Sequence, residues 1–177
     1  MGLDRRLELR RIAQLALLTS AAVVGRWLFA FVPNVQPVTS MVIFISLIYG
    51  MCDGALVGML TMLVSNLFLG MGWWTIPQML AYALIAVLSA LWGKTALKNK
   101  RIMSAIWAAA MGYFYGIIVT LAQILHLGLA NGWIYYLNGL SFDTYHALGN
   151  VAFYLLLLPI FPNLLQRFDY RKAGKSA

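Results

Sequence analysis

Apolar residues fall into long, nearly unbroken runs along this chain, and polar residues collect between them. The runs cover residues 12–32, 38–51, 54–69, 76–92, 102–127 and 146–165. A helix needs roughly 20 apolar residues to cross the hydrocarbon layer, fewer where a bundle thins it. Each run therefore predicts a membrane-crossing helix. Pro33 and Pro37 frame a short loop after the first, residues 70–75 form the next loop, and residues 128–145 read as a polar and aromatic loop before the last.

Residues 38–69 form one long, mainly apolar run broken only at Cys52, Asp53 and Gly54. One helix of that length would run about 48 Å at 1.5 Å per residue, too long for a bilayer. Charge decides between one helix and two. With a break at Asp53 and the N-terminus in the cytoplasm, three cytoplasmic segments hold Arg5, Arg6, Arg10 and Arg11; Lys94, Lys98, Lys100 and Arg101; and Arg167, Arg171, Lys172 and Lys175. That places all but one of the 13 basic residues on one side. The bias of cytoplasmic loops toward Lys and Arg favours this arrangement. The expectation is a single-domain, all-α membrane protein: a compact six-transmembrane-helix bundle with N- and C-termini cytoplasmic. Gly50, Gly54 and Gly58 recur every four residues across the break and predict a tight turn with close helix packing.

Composition agrees. Charged residues make up 10% of the 177 and hydrophobic residues 62%, too little charge to cover a water-facing surface. A net charge of +8 would suggest nucleic acid in a soluble protein, but here topology accounts for it and no nucleic-acid partner is expected. Cys52 is the only cysteine, so no internal disulfide forms, and no Cys/His spacing suits a metal. The first run has no small-residue cleavage site and reads as a retained helix.

The remaining basic residue, Arg26, lies inside the first run toward its outer end. An intramembrane Arg faces a cavity, a partner or the headgroup interface, and its planar fork suits carboxylate, phosphate or amide oxygens. The outer loops gather amides and rings: Asn34 and Gln36; Trp73, Trp74 and Gln78; and Asn131, Trp133, Tyr135, Tyr136, Asn138, Asp143 and Tyr145. An interfacial aromatic belt has this texture, and so does a cup for a small molecule. Asn66, His146 and Asn150 lie toward the same side and join the candidate binding residues, although each can also bond another helix. Catalysis is not expected: no nucleophile motif surrounds any serine, no metal-ligand spacing is present and no glycine-rich nucleotide loop appears.

Two stretches carry a resemblance. Gly25-Arg26-Trp27-Leu28-Phe29 followed by Pro33-Asn34-Val35-Gln36-Pro37-Val38-Thr39, and Asn66-Leu67-Phe68-Leu69-Gly70-Met71-Gly72-Trp73-Trp74-Thr75-Ile76-Pro77-Gln78-Met79, resemble the substrate-binding S components of energy-coupling factor (ECF) vitamin transporters. The resemblance covers the first four helices; the rest matches in helix count, size and topology. It implies a bacterial plasma-membrane protein that captures a vitamin from outside and delivers it inward with a membrane T component and two cytoplasmic ATPase subunits, holding no catalytic cofactor. The family docks on its T component through an A-x-x-x-A pattern on the first helix. That alanine pair is absent here; Ala16 and Ser20, with Ala13 one turn earlier, are the nearest small residues. The pattern most resembles cobalamin-associated members. Riboflavin, pantothenate, and thiamine or queuosine precursors suit similar chemistry, and a non-transport membrane binding protein is the rival class.

Overall fold

The computed structural model describes residues 2–171. Lys172 and Lys175 of the third basic cluster lie outside the described residues. The described chain is helical, with no strand: α1 (Gly2–Leu28), α2 (Val38–Ile48), α3 (Met51–Leu69), α4 (Thr75–Trp92), a short 3-10 turn (Ala96–Asn99), α5 (Arg101–Leu127), α6 (Leu129–Leu157) and α7 (Phe161–Arg167). Among the described residues α3, α4 and α5 are each long and apolar enough to cross a membrane, and α6 with α7, bent by 57° at their junction, would make a fourth span. α1 opens on a charged stretch, and α2 has only 11 residues.

The first helix runs Gly2–Leu28 where residues 12–32 were expected: it takes in the charged start and gives way to turns ahead of Pro33. Three further boundaries differ from the sequence reading, each for a local reason. The break in residues 38–69 falls at Gly50, where φ is +103°, and not at Asp53. Glycine alone enters that region without a Cβ penalty. Asp53 lies instead in the first turn of α3, where a carboxylate complements the helix N-terminus. Residues 128–145, expected as a loop, are mostly the first half of α6, which starts after Gly128 at φ +82°. The last run is divided: α6 stops at Leu157, ahead of Pro159, and α7 carries Pro162 in its first turn. A proline in the helix interior has no N–H for the ladder and clashes with the preceding turn.

α2 sits at the centre. Every residue from 38 to 46 is buried, and the helix packs against α3, α4, α5, α6 and α7 as well as α1. An all-round apolar helix belongs in such a position. Gly54 and Gly58 permit the close approach: a Cβ at Gly54 would lie 3.2 Å from the Ser46 Cα, and one at Gly58 would lie 2.8 Å from the Tyr82 Cβ.

The described basic residues outside Arg26 gather at one end. Asp53, 2% exposed, accepts from Arg11 Nε at 2.9 Å and Nη2 at 2.6 Å, and from the Tyr170 hydroxyl at 2.8 Å. Burial and the neighbouring Asp53 carboxylate both push the Tyr170 hydroxyl up, so it stays a donor. Arg171 donates to the Ile48 carbonyl at 2.6 Å and pairs with Asp169. This clasp ties the start of α1, the α2–α3 elbow and the chain after α7 together. The α4–α5 connection joins the same end, where a Cβ at Gly93 would lie 2.9 Å from the Leu47 side chain.

Candidate functional site

The opposite end holds a polar network centred on Arg26. Its Nε donates to Gln36 Oε1 at 3.0 Å, and its Nη1 donates to Asn66 Oδ1 at 2.7 Å and to the Ser65 hydroxyl. The Asn66 amide in turn donates to Thr75 Oγ1 at 2.9 Å and Gln78 Oε1 at 2.8 Å. Gln36 donates to the Tyr82 hydroxyl at 3.4 Å. Thr39 shares hydrogen bonds with that hydroxyl at 3.2 Å and with His146 Nε2 at 2.9 Å. An Arg near the centre of a lone transmembrane helix costs about 3 kcal/mol. Here three neutral acceptors from the α1–α2 loop and α3 surround it, and among the described residues no carboxylate pairs with it. Nη2 has no hydrogen-bond partner among the described residues. The guanidinium is therefore held in place while its charge stays uncompensated.

Two cavities adjoin this network. One, of about 270 Å³, is lined by Arg26, Phe29, Val35, Gln36 and Leu69 among others. The second, of about 440 Å³, is lined by Thr120, Tyr135, Asn138, Phe142 and Asp143 among others. Asn34, Gln78 and Tyr115 line both. The two cavities adjoin as two lobes along these shared residues, and Asn34 places the α1–α2 loop on both. That loop is pinned at Asn34, whose backbone takes φ +59° and whose amide donates to the Phe142 carbonyl at 2.9 Å. Asn tolerates the left-handed region better than most residues. Room for the loop comes from Gly25, where a Cβ would lie 2.6 Å from Pro37, and Gly149, where one would lie 3.1 Å from Val35. The lobes differ in charge: Arg26 lines the first and Asp143 the second. Such a pair of lobes can hold a ligand with acceptors at one end and donors at the other, between ring faces of Tyr115, Tyr135, Phe29 and Phe142.

The sequence candidates divide into three groups. Arg26, Asn34, Gln36, Gln78 and Tyr135 line the lobes. Asn66 and His146 stand behind them: Asn66, 1% exposed, holds Arg26 and Gln78, and fully buried His146 lies edge-on to Tyr115 with centroids 5.0 Å apart. Asn150 is deeper, donating to the Ala108 carbonyl at 3.2 Å. Trp73, Trp74, Tyr136 and Tyr145 are not among the lobe-lining residues. Trp73 stacks near His126 at 4.7 Å, Trp74 covers Gly72, Tyr136 stacks on Trp133 at 5.7 Å, and Tyr145 is 52% exposed. Tyr115, Gly116, Val119 and Thr120 were not singled out as ligand contacts. They share one face of α5 at helical spacing, which is the signal that would have found them.

A family model described as "ECF-type riboflavin transporter, S component" matches residues 6–168. No curated protein and no solved structure matches the chain. The family is one of transporter subunits, not an enzyme class, and its description carries riboflavin, not cobalamin. With nearly the whole described chain matched, and an all-helical bundle built around a cavity at the end opposite its basic residues, this chain belongs to the family of ECF-type riboflavin transporter S components.

Proposed function

We propose that this chain captures riboflavin at the outer face of the bacterial plasma membrane and hands it inward with a T component and two cytoplasmic ATPase subunits. The bundle spans the membrane six times in this reading, with the basic end and both termini in the cytoplasm. The clustering of the described basic residues at one end supports that orientation. Family membership supports the partners.

The two-lobed cavity carries the choice of vitamin. Riboflavin has a flat ring with carbonyl acceptors and an imide N–H, and a flexible hydroxylated chain. Lobes of about 270 and 440 Å³, joined at Asn34, Gln78 and Tyr115, suit a ring in one and a chain in the other. A corrinoid, favoured by the sequence pattern, is much bulkier and would need the α1–α2 loop displaced. Asp143 favours hydroxyl and imide donors over an anionic vitamin such as pantothenate.

Docking on the T component is assigned to Ala13, Ala16 and Ser20. All three are exposed on α1, whereas Leu15, Thr19 and Ala22 face the bundle. Small residues let a partner helix approach closely in lipid.

Flavin fluorescence tests the assignment. Titrating purified protein into riboflavin should give saturable quenching as the ring stacks on tyrosine, with cobalamin failing to compete. Tight cobalamin binding with no flavin quenching would reverse the choice of vitamin.

A further inference from the structure

A second concave site lies at the basic end, away from the two lobes. α5 and α6 enclose a groove of about 490 Å³. Ile102, Ala105, Ile106 and Ala109 form its α5 wall, and Val151 and Leu155 form its α6 wall. Arg101 lines it as the one charged residue. The helices meet closely higher up, where a Cβ at Gly112 would lie 2.8 Å from the Ala147 backbone nitrogen. Toward the basic end the alanines leave a slot between them. The slot opens on the lipid-facing surface, where Ile102 is 72% exposed and Ile106 is 56% exposed.

Among the described residues no salt bridge reaches Arg101 at the mouth of this slot or the three lysines before it in the chain. Lys94, Lys98, Lys100 and Arg101 are all exposed. Residues 54–142 contain no Asp or Glu. Asp53 is taken by Arg11 and Tyr170, and the two salt bridges among the described residues, Arg11 with Asp53 and Arg171 with Asp169, use none of these cations. An apolar slot ending at an uncompensated guanidinium is complementary to an amphiphile with a negative head. A free anion would leave the slot unused, and an uncharged lipid would leave the cations unused.

We propose that this groove is a binding site for an anionic phospholipid, with an acyl chain between α5 and α6 and the headgroup phosphate against Arg101, flanked by Lys98 and Lys100. The ligand comes from the inner leaflet, which rests on the topology proposed above. Guanidinium suits phosphate through its two-pronged donor geometry. Each added basic residue near an anionic lipid surface strengthens binding by about fivefold.

The test uses the full chain, delipidated in detergent, with phosphatidylglycerol or phosphatidylcholine of identical chains. Native mass spectrometry reads the retained lipid, and thermal unfolding reads the midpoint. Phosphatidylglycerol should stay bound and raise the midpoint, and phosphatidylcholine should do neither. Arg101→Gln should weaken phosphatidylglycerol retention by about fivefold. Ala109→Leu, which fills the slot without touching charge, should weaken retention too. Flavin quenching, read on the same samples, should be unchanged in both variants, so a wrong vitamin assignment is seen separately. Equal retention of the two lipids, an Arg101→Gln protein that keeps its preference, or inorganic phosphate alone reproducing the midpoint shift would each overturn the proposal.

Discussion

Arg26 and Asn66 meet through a hydrogen bond of 2.7 Å that joins the far turn of α1 to the last turns of α3. Asn66 spends its carbonyl on the guanidinium and its amide on Thr75 and Gln78. One side chain thus fixes both Arg26 and a residue lining both lobes. Arg26→Ala should leave the Asn66 and Gln36 oxygens without their donor and should weaken vitamin affinity by about 1–3 kcal/mol, roughly tenfold to a hundredfold. Arg26→Lys should fall between the two, because it keeps the charge and loses the fork. Fluorescence titration of folded protein checks the order parent, Lys, Ala; a folded Ala variant with parental affinity would remove Arg26 from the site.

Two glycines near the second lobe should respond oppositely to the same change. A Cβ at Gly116 would overlap the Asp143 carboxylate, whereas nothing lies within 4 Å of a Cβ at Gly139. Gly116→Ala should force Asp143 aside, reduce stability by about 1–3 kcal/mol and reduce affinity with it. Gly139→Ala should raise stability by up to about 1 kcal/mol, since alanine suits a helix better. Thermal unfolding of the two variants side by side is the measurement.

The clasp at the basic end makes a separate prediction about stability. Asp53→Ala removes the acceptor of both Arg11 and Tyr170. Arg11 is well exposed and can turn to water, so the expected loss is about 1–3 kcal/mol and not that of a fully buried ion pair. Tyr170→Phe should lose about 1 kcal/mol. Combining them should lose less than the sum, because the two changes delete one shared bond. Strict additivity in unfolding experiments would separate Tyr170 from the clasp.

Ala16→Trp with Ser20→Leu should leave vitamin affinity near the parent's and abolish uptake in cells that supply the T component and ATPases. Both side chains are exposed, so bulk there meets lipid in the isolated chain and meets the partner in the complex. Affinity and uptake should be read on one preparation. Joint loss of both would return these residues to packing within the bundle.

Topology is checked by labelling. In a Cys52→Ser background, single cysteines at Asn34, Met71 and Asn138 should react with an impermeant thiol reagent applied outside intact cells. A cysteine at Lys98 should not, and outside labelling there would overturn the orientation.

Much of the first lobe was legible because its residues are anomalies. An arginine inside an apolar run, and amides beside prolines, stand out from a lipid-soluble background. The second lobe was harder to see. Residues 128–145 read as loop because their polar and aromatic side chains break the apolar run, yet most of that stretch continues as helix, with Tyr135 and Asp143 lining the lobe and Trp133 59% exposed. Tyr115 was hidden by the opposite effect: one more aromatic in an apolar helix carries no local signal. Trp73 and Trp74 lie outside the lining of both lobes; a ring at a membrane surface and a ring at a ligand look alike in sequence. The bond from Thr39 to His146 joins positions 107 residues apart and has no local trace.

α6 runs unbroken through 29 residues and is held against α5 at several levels: Gly132 admits Ile124, Gly116 meets Asp143, and Gly112 admits the Ala147 backbone. Small residues let two helices lie this close in lipid. At 1.5 Å per residue, Gly132 and Ala147 stand about 22 Å apart. Fastened at both levels, the two helices form one rigid wall, with Tyr135 and Asp143 toward one end and Val151 and Leu155 toward the other. The lobe and the slot thus keep a fixed spacing, so that each can fill or empty without disturbing the other.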